Sequence, residues 1–298
     1  MKDGILNVYK EKGYTSHDVV AIIRKLTRQK CGHTGTLDPD ATGVLPICLG
    51  KATKVADYIM ATDKVYMAEV IFGTETETQD AAGKVIAEKR GFAFSEEQFD
   101  EVVKSFLGEY SQIPPMYSAI KQNGKKLYEL ARSGAEVERQ PRLVHIFDIK
   151  VLDKDLPNYA KILVNCSKGT YIRTLCSDMG KMLGGFAHMG SLERTRSGYF
   201  NVENSIYIEE IRQKAADGTL GEYIIPIEKI LPYKNVTANE ECEKIMYNGG
   251  TLKLSDVHIS CGIENGETIM MFNKENILVG LYEFVNETFK PKTIFRVM

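Results

Sequence analysis

Gly32-His33-Thr34-Gly35-Thr36-Leu37-Asp38-Pro39-Asp40-Ala41-Thr42-Gly43 is the stretch on which the interpretation of the chain turns. Three glycines, three threonines, a histidine and two carboxylates share these twelve residues with only two apolar side chains, Leu37 and Ala41. A run of that kind has the apolar period of neither a core strand nor an amphipathic helix, so it is expected to be an ordered, exposed loop. Glycine opens backbone angles closed to other residues and lets another molecule approach closely. Pro39 bars Asp38 from the helical region and holds it extended. A carboxylate fixed on such a loop is a candidate for chemistry; the plainer alternative is a solvated turn whose Asp and Thr side chains cap their own backbone.

Upstream, Ile5 to Tyr9 is a strand candidate ending at Lys10. Thr15-Ser16-His17-Asp18 then starts a helix, with Val19, Val20, Ile22, Ile23 and Leu26 at helical spacing until Cys31-Gly32. Its other face carries Arg24, Lys25, Arg28 and Lys30 and leads into the glycine-rich stretch. Downstream, Val44 to Leu49 forms an apolar strand, and Gly50-Lys51 opens a helix through Val55, Tyr58 and Ile59. That Gly-Lys pair is not a phosphate loop, because Gly43 lies too far upstream and Ala52 stands where a metal-binding hydroxyl is needed. Val65 to Phe72 alternates as a strand with Tyr66, Ala68, Val70 and Phe72 on one face, where Tyr66 would by default be a core residue.

Ser95 to Leu107 has the pattern of a helix capped by Ser95 and Gln98 and closed by Gly108. Basic residues, tyrosines and prolines then interleave up to Arg142, which suits an insertion that closes over a nucleic acid. Lys161 to Ser167 is a further strand, followed by Gly169-Thr170-Tyr171-Ile172-Arg173-Thr174 and a helix from Leu175 to Leu183. A strand running on through Arg173 would put Tyr171 and Arg173 on the same side. The pattern breaks between Gly218 and Lys234. Beyond it, Thr237-x-x-Glu240 caps a helix ending at Asn248-Gly249-Gly250, and strands follow at Thr268 to Phe272, Ile277 to Phe284 and Thr293 to Val297.

At 298 residues, 43% hydrophobic and 26% charged, the composition is that of an ordinary globular protein with room for one large domain and a small one. A net charge of -2 excludes a surface coated in positive charge, so any nucleic acid must meet local patches. The tail from 235 to 298 carries six Lys and Arg against nine Asp and Glu, leaving Lys290, Lys292 and Arg296 as its candidate patch. Six cysteines without a Cys-x-x-Cys pair suit buried thiols of a reducing compartment rather than disulfides or zinc ligands. With neither a signal-peptide core at the N-terminus nor a membrane-length apolar run, the protein is expected in the cytoplasm.

Together these pieces carry a resemblance. Gly32 to Pro39 with Ala41-Thr42-Gly43-Val44-Leu45, Lys64-Val65-Tyr66, Ser118-Ala119-Ile120-Lys121 and Gly169 to Thr174 closely resemble the tRNA pseudouridine synthases of the TruB type, over residues 4 to about 200. The tail is similar to a PUA module, an RNA-binding β-domain. The resemblance implies an α+β fold, with a central mixed, largely antiparallel sheet flanked by helices plus a small β-rich C-terminal module. It places a catalytic domain at 1–233 with an RNA-gripping insertion at about 108–142, and the PUA-like domain at 234–298. By position Asp38 matches the catalytic aspartate, Tyr66 the aromatic packed on the target uracil, and Arg173 the partner of the aspartate. His33 matches the residue that fills the space of flipped bases, Tyr171 and Leu192 line the pocket, and Lys10 matches a basic residue near the N-terminus. The implied substrate is uridine 55 in the T arm of tRNA, handled by a monomer without metal or cofactor. Glu11 where the family usually has Pro, and Asp40 where it is commonly apolar, are departures.

The residue types suit that chemistry: an ionised carboxylate, a cation to keep it ionised and a stacking surface for a base drawn out of its loop. A glycosidase built on Asp38 and Asp40 is the rival enzyme, but two carboxylates so close on one loop cannot readily flank a scissile bond. A pure RNA-binding protein is the other alternative, and it has no need of Asp38, Tyr66 and Arg173 together.

Overall fold

The computed structural model describes residues 2–118, 120–122, 124–134 and 137–295, so Ala119 of the Ser118 motif and Arg296 of the tail patch lie outside the described residues. Strand β1 (Gly4–Lys10) leads to helix α1 (Ser16–Thr27), whose start is closed by reciprocal bonds between Thr15 and Asp18, the capping box expected from the sequence. Strands β2 (Cys31–His33) and β3 (Thr42–Leu49) flank the central loop, and a 3-10 turn and helix α2 (Ala56–Met60) precede β4 (Lys64–Phe72). A hairpin of β5 (Thr74–Thr76) and β6 (Val85–Glu88) follows, then α3 (Glu96–Ser105), capped by Ser95 and Gln98, and β7 (Gly108–Gln112). The excursion after β7 holds the hairpin β8 (Lys121–Gln122) and β9 (Lys125–Lys126) and helix α4 (Leu127–Arg132). It returns into the long pair β10 (Arg142–Asp155) and β11 (Tyr159–Cys166), after which come α5 (Ile172–Met182), β12 (Ala187–Ser197), β13 (Phe200–Asn201), α6 (Ile208–Ala216) and β14 (Ile224–Ile225).

Among the described residues ten of these strands join in one sheet with the path β14-β1-β3-β12-β4-β11-β10-β7, and β2 and β13 attached beside it. Its pairs are antiparallel except where β12 runs parallel to β3 at Glu193 and Arg194. This is the mixed, largely antiparallel sheet expected of the family. Strand β12 therefore sits between β3 and β4, and the side chains at its middle face both. The period-2 face of β4 buries Ala68, Val70 and Phe72 against α3 and α5, with Tyr66 at its edge. On the other side of β12, Val19 and Ile23 of α1 pack with Leu45 and Ile47 of β3.

The remaining strands, β15 (Lys234–Ala238), β16 (Leu252–Lys253), β17 (Val257–Ile259), β18 (Thr268–Phe272), β19 (Leu278–Val285) and β20 (Thr288–Ile294), form a six-stranded sheet with helix α7 (Glu243–Tyr247). It has its own core around Val236, Ile269 and Phe289, and its other face packs Met270, Phe272 and Leu281 against Ile5 and Val44 of the large sheet and Val55 of the 3-10 turn after β3. No helix among the described residues is long and apolar enough to cross a membrane.

Several expectations need correcting. Gly32 and His33 lie in β2, paired to β3, and Thr34, Leu37 and Ala41 are buried, so the stretch is a strand end and a half-buried turn rather than a wholly exposed loop. Its short side chains let the backbone itself become part of the core. The strand before Arg173 ends at Cys166, because Gly169 at φ +83° turns the chain, and α5 begins at Ile172 with Arg173 in its first turn. Thr237 pairs within β15, which moves the cap of the following turn to Asn239. The last strand begins at Thr288 rather than Thr293, since Phe289 supplies a buried anchor; Val297 lies outside the described residues. Of the six cysteines, Cys31, Cys48, Cys166 and Cys176 are buried free thiols, whereas Cys242 is half-buried and Cys261 exposed.

Candidate active site

The loop between β2 and β3 is tied down along its length. Thr34, fully buried, donates its N–H to the Pro46 carbonyl at 3.1 Å. Ser16 at the head of α1 holds Leu37 twice, its hydroxyl donating to the Leu37 carbonyl at 3.1 Å and accepting the Leu37 N–H at 2.9 Å. The Asp38 carbonyl accepts the Ala41 N–H at 3.1 Å, closing a tight turn over Pro39 and Asp40. The Pro39 carbonyl is in turn held by the Gly13 N–H at 3.0 Å and by Lys10 Nζ at 2.9 Å. Asp38 thus projects from backbone with little freedom, and 40% of its side chain remains open.

Arg173 meets it from α5. Nε lies 3.1 Å from Oδ2 of Asp38 and Nη2 donates to Oδ1 at 3.4 Å, a two-pronged pair that matches the planar fork to the carboxylate. Only 5% of Arg173 is exposed, and its other donors are taken by the Tyr117 carbonyl at 2.8 Å and the Thr78 carbonyl at 3.2 Å. Oδ2 of Asp80 stands 3.7 Å from Nη1. Burial pushes the Asp38 carboxyl above its ordinary range, the Arg173 guanidinium pulls it back, and the Asp80 charge pushes it up again. The second carboxylate at this cation is therefore Asp80, whereas Asp40 points outward and is exposed.

The remaining sequence-selected residues surround this pair to differing degrees. Tyr66 stands on β4 across from Arg194 and packs against both apolar clusters of the large sheet. Burial pushes its phenol up, while the Arg194 charge draws it down. Leu192 on β12 faces Ala68 of β4 and packs against the same two clusters, beside Tyr66. Tyr171 caps α5 with its backbone held in both directions by Gln112, N–H to Oε1 at 2.8 Å and carbonyl to Nε2 at 3.0 Å. Its phenol is pushed up by burial and feels Ser118, Arg173 and Asp38.

Lys10 and His33 approach the loop from behind. Lys10 is fully buried and donates to the Pro39 and Glu11 carbonyls, so it supports the turn rather than reaching Asp38; burial lowers its amine to about 8. At position 11 it is the backbone carbonyl that takes part, which makes the Glu11 departure compatible with the contact. His33 packs on His17 with ring centroids 5.5 Å apart and accepts the Gly35 N–H at 3.3 Å. Burial lowers its pKa below the usual value, which keeps the ring neutral at pH 7.

Sequence reasoning passed over Asp80, Gln112 and Arg194. Arg194 is 1% exposed, and its Nε donates to the Val44 carbonyl at 2.8 Å and its Nη2 to the Gly35 carbonyl at 3.1 Å. The signal that could have found it is period-2 alternation: Leu192 and Arg194 share a face, and a charge on the apolar face of a central strand is unusual. Asp80 had no comparable signal, being one of several polar residues in Thr76 to Asp80. Among the described residues no group of three or more His, Cys, Asp or Glu converges in a way that could hold a metal.

Comparison with known proteins places the chain among its relatives. Residues 24–172 match the family model described as TruB family pseudouridylate synthase (N terminal domain), and residues 173–232 match that of the tRNA pseudouridylate synthase B C-terminal domain. A Clostridium tetani protein named tRNA pseudouridine synthase B is 46% identical over 97% of this chain and 98% of its own length. Its namesake from Clostridium acetobutylicum is 45% identical with the same coverage of both chains. Among solved structures, a chain in a Cbf5-Nop10-Gar1 complex superposes with a TM-score of 0.75 at 28% identity, over 99% of this chain and 85% of that one. A chain in an H/ACA RNP bound to a substrate RNA containing 2'-deoxyuridine gives 0.74 at 26% identity, over 98% and 84%.

Proposed function

Because the chain belongs to the TruB family of tRNA pseudouridine synthases, isomerases that convert uridine to pseudouridine in tRNA, we propose that it acts on uridine 55 in the T arm with Asp38 as its catalytic residue. The observation that carries this reading is the two-pronged Arg173 to Asp38 pair, held by a pinned turn and a helix head with Tyr66 and Leu192 alongside.

The reaction breaks the bond from C1' to N1, turns the uracil and joins its C5 to C1'. The C5 proton leaves to solvent and N1 gains one, so the isomerisation balances without an oxidant or an energy source. Arg173 keeps Asp38 ionised in a partly buried site, where a lone carboxyl would take up a proton. Tyr66 offers a ring face to a uracil drawn out of the T loop, and base stacking of that kind contributes about 1–3 kcal/mol. Tyr171 and Leu192 line the pocket, His33 occupies space on the loop's flank, and Lys10 holds the turn under Asp38. The excursion between β7 and β10 reaches the site through the Tyr117 carbonyl on Arg173, which suits a segment that grips RNA and reports its presence to the catalytic pair. In this reading 1–233 forms the catalytic domain and 234–298 a PUA-like RNA-binding domain, and the protein works as a monomer in the cytoplasm.

The deciding experiment is tritium release from 5-tritiated uridine in a T-arm hairpin and in full tRNA. Release from both is expected, and none from RNA whose only labelled uridines lie outside position 55. Binding without release would return the chain to the RNA-binding class.

A further inference from the structure

Arg194 heads the largest fully buried side chains among the described residues, and no carboxylate there forms an ion pair with it. An isolated buried cation is costly, so its placement calls for an explanation. Its identified partners belong to three different elements. Nη2 holds the Gly35 carbonyl, three residues before Asp38, and Nε holds the Val44 carbonyl just beyond the loop's return. The third is Tyr66, paired with it across the strands, whose phenol feels the Arg194 charge.

The chain passes close to position 194 at two glycines, the first meeting its backbone, as it would that of any residue there, and the second its side chain at ordinary contact distance. Gly43, at φ +102°, faces Arg194 so closely that a Cβ there would lie 2.3 Å from the Arg194 carbonyl oxygen. Gly35, at φ +142°, would place a Cβ 3.5 Å from Nη1. Two glycines of the central stretch thus stand beside one arginine. Lysine, a compact point charge, lacks the planar fork that reaches the two backbone carbonyls from Nε and Nη2 at once.

We propose that Arg194 is a positioning residue that sets the Asp38 loop and Tyr66 in register with each other, acting through the Gly35 carbonyl and the Tyr66 hydroxyl. The inference rests on the proposed reaction. It adds to the Arg173 pair a second cation, whose task is geometry rather than ionisation of Asp38.

The test compares the full-length parent with Arg194→Gln, Arg194→Lys, Tyr66→Phe and the double variant Arg194→Gln/Tyr66→Phe. Single-turnover tritium release, tRNA binding, thermal melting and amide hydrogen exchange of residues 34–43 are read on the same preparations. Arg194→Gln should slow the reacting step about 100-fold, as a displacement near 1 Å does, with tRNA affinity within threefold. Arg194→Lys should not restore the rate, and in the Tyr66→Phe background the Arg194 change should cost at least tenfold less. Exchange should rise in 34–43 and stay constant elsewhere. A rate within threefold of the parent overturns the proposal, as does equal loss in both backgrounds, exchange that rises across the whole chain, or loss of cooperative melting in both variants. If the parent itself releases no tritium, the proposed reaction falls instead. Exchange of 34–43 in Arg194→Lys then decides the link: a local rise upholds it and unchanged protection overturns it.

Discussion

Replacing Arg173 with Met removes the cation 3.1 and 3.4 Å from the two oxygens of Asp38 and leaves that carboxylate facing Asp80 with nothing between them. A full charge pair at such separations is worth about 5 kcal/mol at an effective dielectric near 20. With 40% of the Asp38 side chain open to water, screening reduces this to about 2 kcal/mol. At about 1.4 kcal/mol per pKa unit, the Asp38 carboxyl should then rise by roughly 1.5 units beyond its already raised position. In the proposed reaction the ionised form is the reactive one, so activity should climb as pH rises through this pKa, and the acid limb of the profile should move upward by that amount. Stability should move the opposite way with pH: a carboxyl raised above its unfolded value stabilises the fold below the unfolded pKa, and that contribution is lost as pH rises through the folded one. The assay is single-turnover tritium release between pH 4.5 and 8.5, with melting temperature recorded at each pH. An acid limb that stays in place or moves downward would refute the electrostatic role given to Arg173. Arg173→Lys, which keeps the charge but not the fork, should fall between the two.

Asp38→Asn should abolish turnover while tRNA affinity stays within about tenfold, or roughly 1.4 kcal/mol; Asp40→Asn, on the exposed side of the turn, should remain active, and steady turnover by the first variant would defeat the assignment. Tyr66→Leu should cut the single-turnover rate far more than it lowers melting temperature, with Tyr66→Phe separating ring from hydroxyl; a rate loss that merely tracks instability would return Tyr66 to the core. For Lys10, burial lowers the amine from 10.5 to about 8, so carrying its charge penalises the fold below pH 8, and this penalty is relieved as pH rises towards 10.5. Denaturant titration should therefore show the parent gaining stability relative to Lys10→Met between pH 7 and pH 10, by up to about 3 kcal/mol, and a constant difference would show that the buried amine is not strained.

Much of the frame was legible because its signals are local. The capping boxes at Thr15 and Ser95, the alternation of β4 and the prolyl restraint on Asp38 each act within a few residues. Family resemblance then supplied Asp38, Arg173 and Tyr66, of which the structure pairs the first two and sets Tyr66 on β4 against both apolar clusters of the large sheet. What stayed hidden depends on contacts made across the sheet. Nothing near Gly35 announces that its carbonyl will be held by a residue 159 positions away, and nothing near Asp80 announces its share of Arg173. The reading of Tyr171 and Arg173 as strand neighbours failed for a related reason. Gly169 permits a turn, and the buried contacts that Arg173 makes from the first turn of α5 favour the helical start over a longer strand.

Strand β12 lies between β3 and β4, although both of those are made more than a hundred residues earlier in the chain. During synthesis from the N-terminus, β3 and β4 emerge with facing edges that cannot bond each other in the final order and must wait for residues 187–197. Until then each edge is an open template for other strands. On the proposed reading, catalytic competence is timed to the end of sheet assembly, since Leu192 and Arg194 arrive on the same strand that closes the gap. A nascent chain can display Asp38 and Tyr66 without being able to use them, and its principal hazard in that interval is aggregation rather than misdirected chemistry. Substitutions that slow the docking of β12 would accordingly reduce the yield of soluble protein while leaving the specific activity of the molecules that do fold unchanged.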